Sequence, residues 1–137
     1  MKSLLLSCKN FNSKIKKLAT RPASVIPEPI KQKIYQTDKA IVALVTVEDT
    51  DDIYETVPKL AKEIKIFSND TQIKTIVLFP FGHLSNNLAS SEDTIIFFNL
   101  LEKELSDYET IRVHFGSHKS LLLDIHGHKG NVRFREF

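Results

Sequence analysis

Long apolar runs alternate along this chain with two segments whose apolar residues recur at helical spacing. The clearest run is Ala40–Val47, eight strand-compatible residues without a charge, which predicts a central strand covered on both faces. A second run, Thr75–Phe79, predicts another buried strand. That strand must end or lie at an edge at Pro80, because proline has no N–H for a sheet ladder.

Two amphipathic segments predict helices that each turn one apolar stripe toward the sheet. The stripes are Leu60, Ala61, Ile64 and Phe67 in the first segment and Ile95, Phe98, Leu101 and Leu105 in the second. We predict that the first helix has Thr56 as its N-cap, tolerates Pro58 in its first turn and ends at Asn69-Asp70. Ser90 or Ser91 is expected to cap the second helix.

Shorter alternating segments at both ends predict further strands. Ser3–Cys8 and Phe11–Leu18 predict an antiparallel pair joined by a turn at Lys9-Asn10. The proline-rich residues from Arg21 to Ile30 predict an extended loop.

The C-terminal third predicts three more strands. These are Thr110–Phe115, then Lys119–His126 after a turn at Gly116-Ser117, and finally Asn131–Phe137, which returns through a hairpin at Gly127–Gly130. The predicted fold class is therefore α/β, a mixed and largely antiparallel sheet with two helices packed on it. At 137 residues we expect one domain, spanning residues 1–137.

Charge is distributed unevenly. The net charge is +2, but residues 1–40 hold nine Lys and Arg against two acidic residues, so they carry +7 and the remainder carries −5. Such a basic segment is suited to a polyanion such as RNA, and equally to a solvated, charged strand face.

The single cysteine excludes an internal disulfide and suits a reducing, cytoplasmic compartment. No apolar run reaches transmembrane length, and Leu4–Leu6 is too short for a secretory signal, so no membrane association is expected.

Candidate chemistry begins where the Thr75–Phe79 strand ends. Phe81-Gly82-His83 combines an aromatic wall, a residue that lets a ligand approach the backbone, and an imidazole. The alternative is a strand-to-loop turn with a structural histidine. His126-Gly127-His128 places two rings on one strand face, yet no cysteine or spaced carboxylate completes a zinc site, so neither metal nor cofactor is predicted.

Lys119 stands just after Phe115-Gly116, at the start of a leucine-rich strand. A lysine entering an apolar sheet can hold positive charge near a carbonyl oxygen and stabilise a developing oxyanion. A surface lysine at a strand end is the alternative interpretation.

Several segments together resemble the N-terminal editing domain of archaeal threonyl-tRNA synthetases, which has a D-aminoacyl-tRNA deacylase-like fold. The specific segment is Phe79-Pro80-Phe81-Gly82-His83-Leu84-Ser85. Supporting segments are Leu4–Leu6, Pro27–Ile30, Val42–Glu48, Leu88-Ala89, and Phe115-Gly116 through Lys119 to Gly127-His128. The similarity runs in order over nearly the whole chain.

The resemblance implies an editing hydrolase that removes serine wrongly attached to the 3′ end of tRNA(Thr). It implies that Pro80, Phe81 and Gly82, with Thr46-Val47, hold the seryl group and that His83 and Lys119 flank the ester as catalytic residues. Phe115, Gly116 and His118 are the further substrate-binding residues expected from it. It also implies attack by water assisted by the tRNA 2′-hydroxyl, no metal, a homodimer, and further synthetase domains or a separate synthetase chain as partners.

The chain departs from the family pattern at several positions. Gly82 replaces the usual alanine, which predicts a larger pocket, and His118 replaces the usual aromatic residue before the lysine. Lys129 stands where proline is common, and Val132 lies where a glutamate is expected, with Glu136 as the nearest carboxylate. A D-aminoacyl-tRNA deacylase and a non-catalytic tRNA-binding module therefore remain alternative functions.

Overall fold

The computed structural model describes residues 1–137, which form eight strands and two helices. The elements are β1 Lys2–Leu18, β2 Ile34–Thr37, β3 Ala40–Thr46, α1 Ile53–Thr71, β4 Thr75–Pro80, α2 Ser91–Glu104, β5 Glu109–Arg112, β6 Ser117–Lys119, β7 Leu122–Ile125 and β8 Val132–Glu136.

The long strand β1 organises the sheet. Along one edge it pairs antiparallel with β3 and then β2, and along the other with β8, β7 and β6 in turn. β3 pairs in parallel with β4, and β4 with β5, giving the order β2-β1-β3-β4-β5. The predicted mixed, largely antiparallel sheet with two helices is confirmed.

Apolar side chains on the two faces of the sheet form two separate cores. On one face α1 and α2 pack against residues such as Leu5, Ala43 and Leu78. On the other face Phe11 and Tyr35, from the second half of β1 and from β2, join Phe79 of β4. All seven residues of β3 are buried, as the uncharged run predicts.

The predicted turn at Lys9-Asn10 is wrong, because the chain continues through these residues as one strand of 17 residues. Its pairing with β7 shifts register between Cys8 and Asn10. A bulge of this kind bends a strand without ending it, so two exposed polar residues need not mark a turn.

The predicted C-terminal hairpin is also wrong. β7 and β8 do not pair with each other; both lie antiparallel to β1, beside Cys8–Asn12 and Lys2–Leu6 respectively. The predicted strand Lys119–His126 is likewise interrupted after Lys119, and the predicted strand Thr110–Phe115 ends at Arg112. The cause is the length of β1, which offers one edge to three short strands in succession.

The helix boundaries follow their caps. Asp52, not Thr56, is the N-cap of α1: its carboxylate accepts N–H bonds from Tyr54 at 3.1 Å and Glu55 at 3.3 Å. Ser90 caps α2, as predicted, by accepting the Asp93 N–H at 3.1 Å. Neither α1 nor α2 has the length and apolarity that a bilayer crossing requires.

Candidate active site

The ends of β3 and β4 create the first half of the candidate site. The Phe81 N–H donates to the Val45 carbonyl at 2.9 Å, which is the last rung between these strands. β4 pairs with β5 only as far as Leu78 and Arg112, so Pro80 has β3 on one side and lies beyond the β5 pairing on the other, where a missing N–H breaks no ladder. The chain then returns along the end of β3, where the Ala89 N–H donates to Val47 O at 3.0 Å.

Thr46 braces this returning segment. Its side chain is buried, its hydroxyl donates to the Phe81 carbonyl, and its oxygen accepts the Leu84 N–H at 3.3 Å. Because a hydroxyl has a single proton, the Thr46 side chain has no donor left for a ligand. Its contribution is therefore to fix the shape of the segment from Phe81 to Leu84.

Several backbone N–H groups in this region have no acceptor within the chain, and three of them lie where the two strands end. These three belong to Val47, Gly82 and His83. Val47 is buried at the end of β3, whereas Gly82 and His83 are exposed. Unpaired amides fixed by a rigid turn are suited to bind carbonyl or carboxylate oxygens.

A row of aromatic rings leads from this turn into the second core. The Phe81 ring lies 5.0 Å from the imidazole of His83 and 6.4 Å from Phe79, in edge-to-face arrangements. The Nζ of Lys119 lies 5.3 Å from the centroid of the Phe79 ring, within reach of a cation–π contact. The two predicted catalytic side chains therefore lie at opposite ends of one aromatic row.

Lys119 is half-buried on β6, opposite Ile15 of β1. Its ammonium donates to the Ser117 carbonyl at 3.1 Å and to the Ser117 hydroxyl at 3.2 Å. Burial lowers the pKa of Lys119 from 10.5 to about 8, while the carboxylate of Glu28 opposes the fall. The lysine thus titrates much closer to neutrality than an exposed lysine.

The loop before β2 completes the surroundings of this lysine. Glu28 accepts the Phe115 N–H at 2.8 Å and an Arg112 guanidinium N–H at 3.1 Å. Gly116 has φ +90°, and a Cβ there would lie 2.6 Å from the Cα of Pro27. Only glycine permits this close approach, so the Phe115-Gly116 turn and the loop hold one another in place.

The structure places the predicted site residues in two groups. Thr46, Val47 and the turn from Pro80 through Phe81 and Gly82 to His83 form the first; Phe115, Gly116 and Lys119 form the second. The Phe79 ring connects them. His118 stands apart: it is exposed, lies across from Lys17, and as the strand neighbour of Lys119 points to the other sheet face.

Three residues around Lys119 were not predicted as site residues, namely Glu28, Ser117 and His114. Glu136, the carboxylate nearest to Val132 in the sequence, lies across from Lys2, at the opposite end of β1 from Ile15, the strand partner of Lys119. Glu28 is the acidic group that acts on the lysine. The available signal was its position between two prolines, which hold a lone carboxylate in a stiff loop.

The remaining features contribute no further group to the site. His126 and His128 stack at 5.3 Å, but no cluster of three or more His, Cys, Asp or Glu residues forms. A recess of about 520 Å³ between β2 and β5 includes Tyr35 and Arg112 but neither Lys119 nor His83.

Comparison with known proteins gives one family match. A family model described as the archaea-specific editing domain of threonyl-tRNA synthetase matches residues 1–136.

Individual relatives are similar over most of this chain. It is 33% identical over 128 residues to a threonine–tRNA ligase of Methanothrix thermoacetophila, covering 91% of this chain and 20% of that protein. It is 29% identical over 126 residues to a threonine–tRNA ligase editing subunit of Saccharolobus solfataricus, covering 91% of this chain and 31% of that protein. The chain therefore spans about a fifth to a third of the length of these relatives.

Among solved structures, the c-Myc DNA unwinding element binding protein has a TM-score of 0.63 at 13% identity, covering 100% of this chain and 99% of that one. This similarity concerns the fold alone. The predicted α/β class, with two helices on a mixed and largely antiparallel sheet, agrees with this shared fold.

Proposed function

The chain belongs to the archaea-specific editing domains of threonyl-tRNA synthetase, and from that premise we propose that it hydrolyses the ester of serine mischarged onto tRNA(Thr). We also propose that residues 1–137 act as one editing domain in the cytoplasm. Its partners are then the other synthetase domains, or a separate synthetase chain like the one an editing subunit implies. No step of this function calls for a metal or cofactor.

The placement of Lys119 is the observation that carries the proposal. The ammonium of Lys119 lies over the Phe79 ring, at one end of an aromatic row that finishes at the imidazole of His83, and the unpaired amides of Gly82 and His83 lie at the other end of that row. Ester hydrolysis needs an oriented water and positive charge near the carbonyl oxygen. In our proposal Lys119 stabilises the oxyanion, and His83 together with the tRNA 2′-hydroxyl positions the water.

The turn at Gly82 supports a role in discrimination. A synthetase separates amino acids that differ by one methylene by only about 1–3 kcal/mol, so a second, size-selective site is needed. Backbone amides and the braced carbonyl of Phe81 are rigid features that measure a small amino acid by shape. Serine fits such a surface, and the extra methyl group of threonine meets its wall.

The basic face of β1 and β2 supports RNA as the carrier of that amino acid. Lys14, Lys16, Lys17 and Lys33 are exposed, and none takes part in an ion pair. Lys17 lies across from His118, next to Lys119 on β6. Lys17 and His118 thus share the sheet face from which Lys119 points away, and we propose that the phosphates of the tRNA acceptor end bind along this basic face.

The decisive experiment measures release of serine from L-seryl-tRNA(Thr) by the purified chain, with D-aminoacyl-tRNA as the competing substrate. Lys119→Met should lower the rate by about 100-fold to 1,000-fold, the usual effect of removing one oxyanion donor. His83→Ala should also be impaired, and Lys62→Met, an exposed residue of α1, is the matched control.

Full activity in both site variants would reject the assignment of Lys119 and His83. Preference for the D-aminoacyl ester would indicate a D-aminoacyl-tRNA deacylase instead. Salt-dependent tRNA binding without any hydrolysis would indicate a non-catalytic module. Light scattering of the same preparation tests the homodimer that family resemblance leads us to propose.

A further inference from the structure

Lys119 is connected through Ser117 to a fully enclosed histidine that the proposed reaction does not use. His114 is only 2% exposed. Its Nε2 lies 2.6 Å from the Glu28 carbonyl oxygen, and its Nδ1 lies 2.8 Å from the Ser117 hydroxyl. The same hydroxyl is 3.2 Å from the Lys119 ammonium.

The partners of His114 determine its tautomer. A carbonyl oxygen only accepts hydrogen bonds, so Nε2 must carry the proton that it donates to Glu28. In the neutral ring Nδ1 is then an acceptor, and the Ser117 hydroxyl donates to it. The serine proton is thereby directed away from Lys119.

This arrangement leaves the Ser117 oxygen with only lone pairs to offer the lysine. The ammonium of Lys119 has three N–H donors, of which one goes to the Ser117 carbonyl and one to its hydroxyl oxygen. The third donor has no partner within the chain and is left for a bound carbonyl oxygen. An uncharged amine would forfeit these charge-assisted bonds, so the arrangement favours the ammonium form.

We propose that Ser117 and His114 are positioning residues for the proposed deacylation. His114 orients the Ser117 hydroxyl, and the hydroxyl oxygen holds Lys119 in its ammonium form with one N–H left for the bound carbonyl oxygen. The role of this pair in catalysis rests on the proposed function, whereas the hydrogen-bonded arrangement itself does not depend on any reaction. Burial lowers the pKa of Lys119 to about 8 and the carboxylate of Glu28 opposes the fall; the two hydrogen bonds that the ammonium donates to Ser117 likewise favour the charged form.

Other groups around Lys119 do not replace this pair. Glu28 faces the lysine from the loop but is engaged by Arg112 and by the Phe115 N–H. β4 presents the uncharged ring of Phe79, and β1 presents Ile15. The remaining titratable groups on neighbouring elements include Lys14, Lys16 and Lys17 on β1, His118 on β6, Tyr35 on β2 and His83 after β4.

The test compares the wild-type chain with Ser117→Ala and with Ser117→Thr, which keeps the hydroxyl. Nuclear magnetic resonance of the lysine side-chain amine gives its titration midpoint without RNA present. We expect Ser117→Ala to lower that midpoint by about one pH unit, a tenfold change in proton affinity, and Ser117→Thr to leave it near the wild-type value. Nitrogen chemical shifts of His114 in the wild type should show the Nε2–H tautomer.

Deacylation rates then test whether this positioning of Lys119 affects catalysis. If the ammonium is the active form, the rate falls as pH rises through the titration of Lys119, and Ser117→Ala moves this fall to lower pH. An unchanged lysine midpoint in Ser117→Ala, or an Nδ1–H tautomer of His114, would overturn the proposal. Shifted midpoints without hydrolysis by any variant would instead refute the proposed function and leave the positioning arrangement intact.

Discussion

Replacing Lys119 with methionine should make the protein more stable near pH 7 while it lowers the proposed deacylation rate. Methionine has a similar length and makes favourable contacts with an aromatic ring, so it fits over Phe79. Burial lowers the pKa of Lys119 from 10.5 to about 8. At about 1.4 kcal/mol per pH unit this corresponds to roughly 3 kcal/mol. Because the side chain is partly solvated, we expect Lys119→Met to gain about 1–3 kcal/mol.

The pH dependence of this gain follows from the direction of the pKa change. Between about pH 8 and 10.5 the unfolded chain keeps its proton on Lys119 and the folded chain releases it. Unfolding then takes up a proton, so the wild type becomes more stable as pH rises through this window. The advantage of Lys119→Met should therefore be largest below pH 8 and shrink toward pH 10.5.

Urea denaturation of both proteins at about pH 7 and about pH 10 measures the effect. Lys62→Met, on the exposed face of α1, controls for the general effect of replacing a lysine. A destabilised Lys119→Met at neutral pH, or a difference from wild type that does not change with pH, would contradict the reasoning about burial.

Three further outcomes follow from the geometry. Gly82→Ala should fold normally, since the φ of Gly82 is not positive and an added Cβ would meet only one side chain, at 3.7 Å. The variant should reject threonyl-tRNA more strongly than the wild type does; equal hydrolysis of seryl and threonyl esters by both proteins would refute the size filter. Gly116→Ala should lower the free energy of unfolding by about 2–4 kcal/mol in thermal or urea melts, because alanine is strained at a positive φ and its Cβ, 2.6 Å from Pro27, would push the loop away. Wild-type stability of this variant would show that the contact is dispensable. Lys14→Glu with Lys16→Glu should weaken tRNA binding and reduce the slope of log affinity against log salt by about one to two, whereas an unaltered slope would place the RNA elsewhere.

Hydrophobic pattern alone determined the elements of the sheet core and of both helices. Uncharged runs can only be stable when covered on both sides, which identifies β3 and β4, and the helical stripes identify α1 and α2. The motif from Phe79 to Ser85 likewise indicated where β4 ends. These are local properties, because each depends on residues within one or two turns or one strand.

Only the tertiary structure decided how the N- and C-terminal segments pair, and therefore what surrounds Lys119. Whether Lys9-Asn10 turns the chain or bulges within it depends on partners more than a hundred residues away in β7. Glu28, His114 and Ser117 come together because β1 carries β6 beside the loop before β2, and their contacts span up to 87 residues of sequence. Such distant segments determine how deeply a lysine is buried and which groups bond to it, so the local sequence pattern does not predict either property.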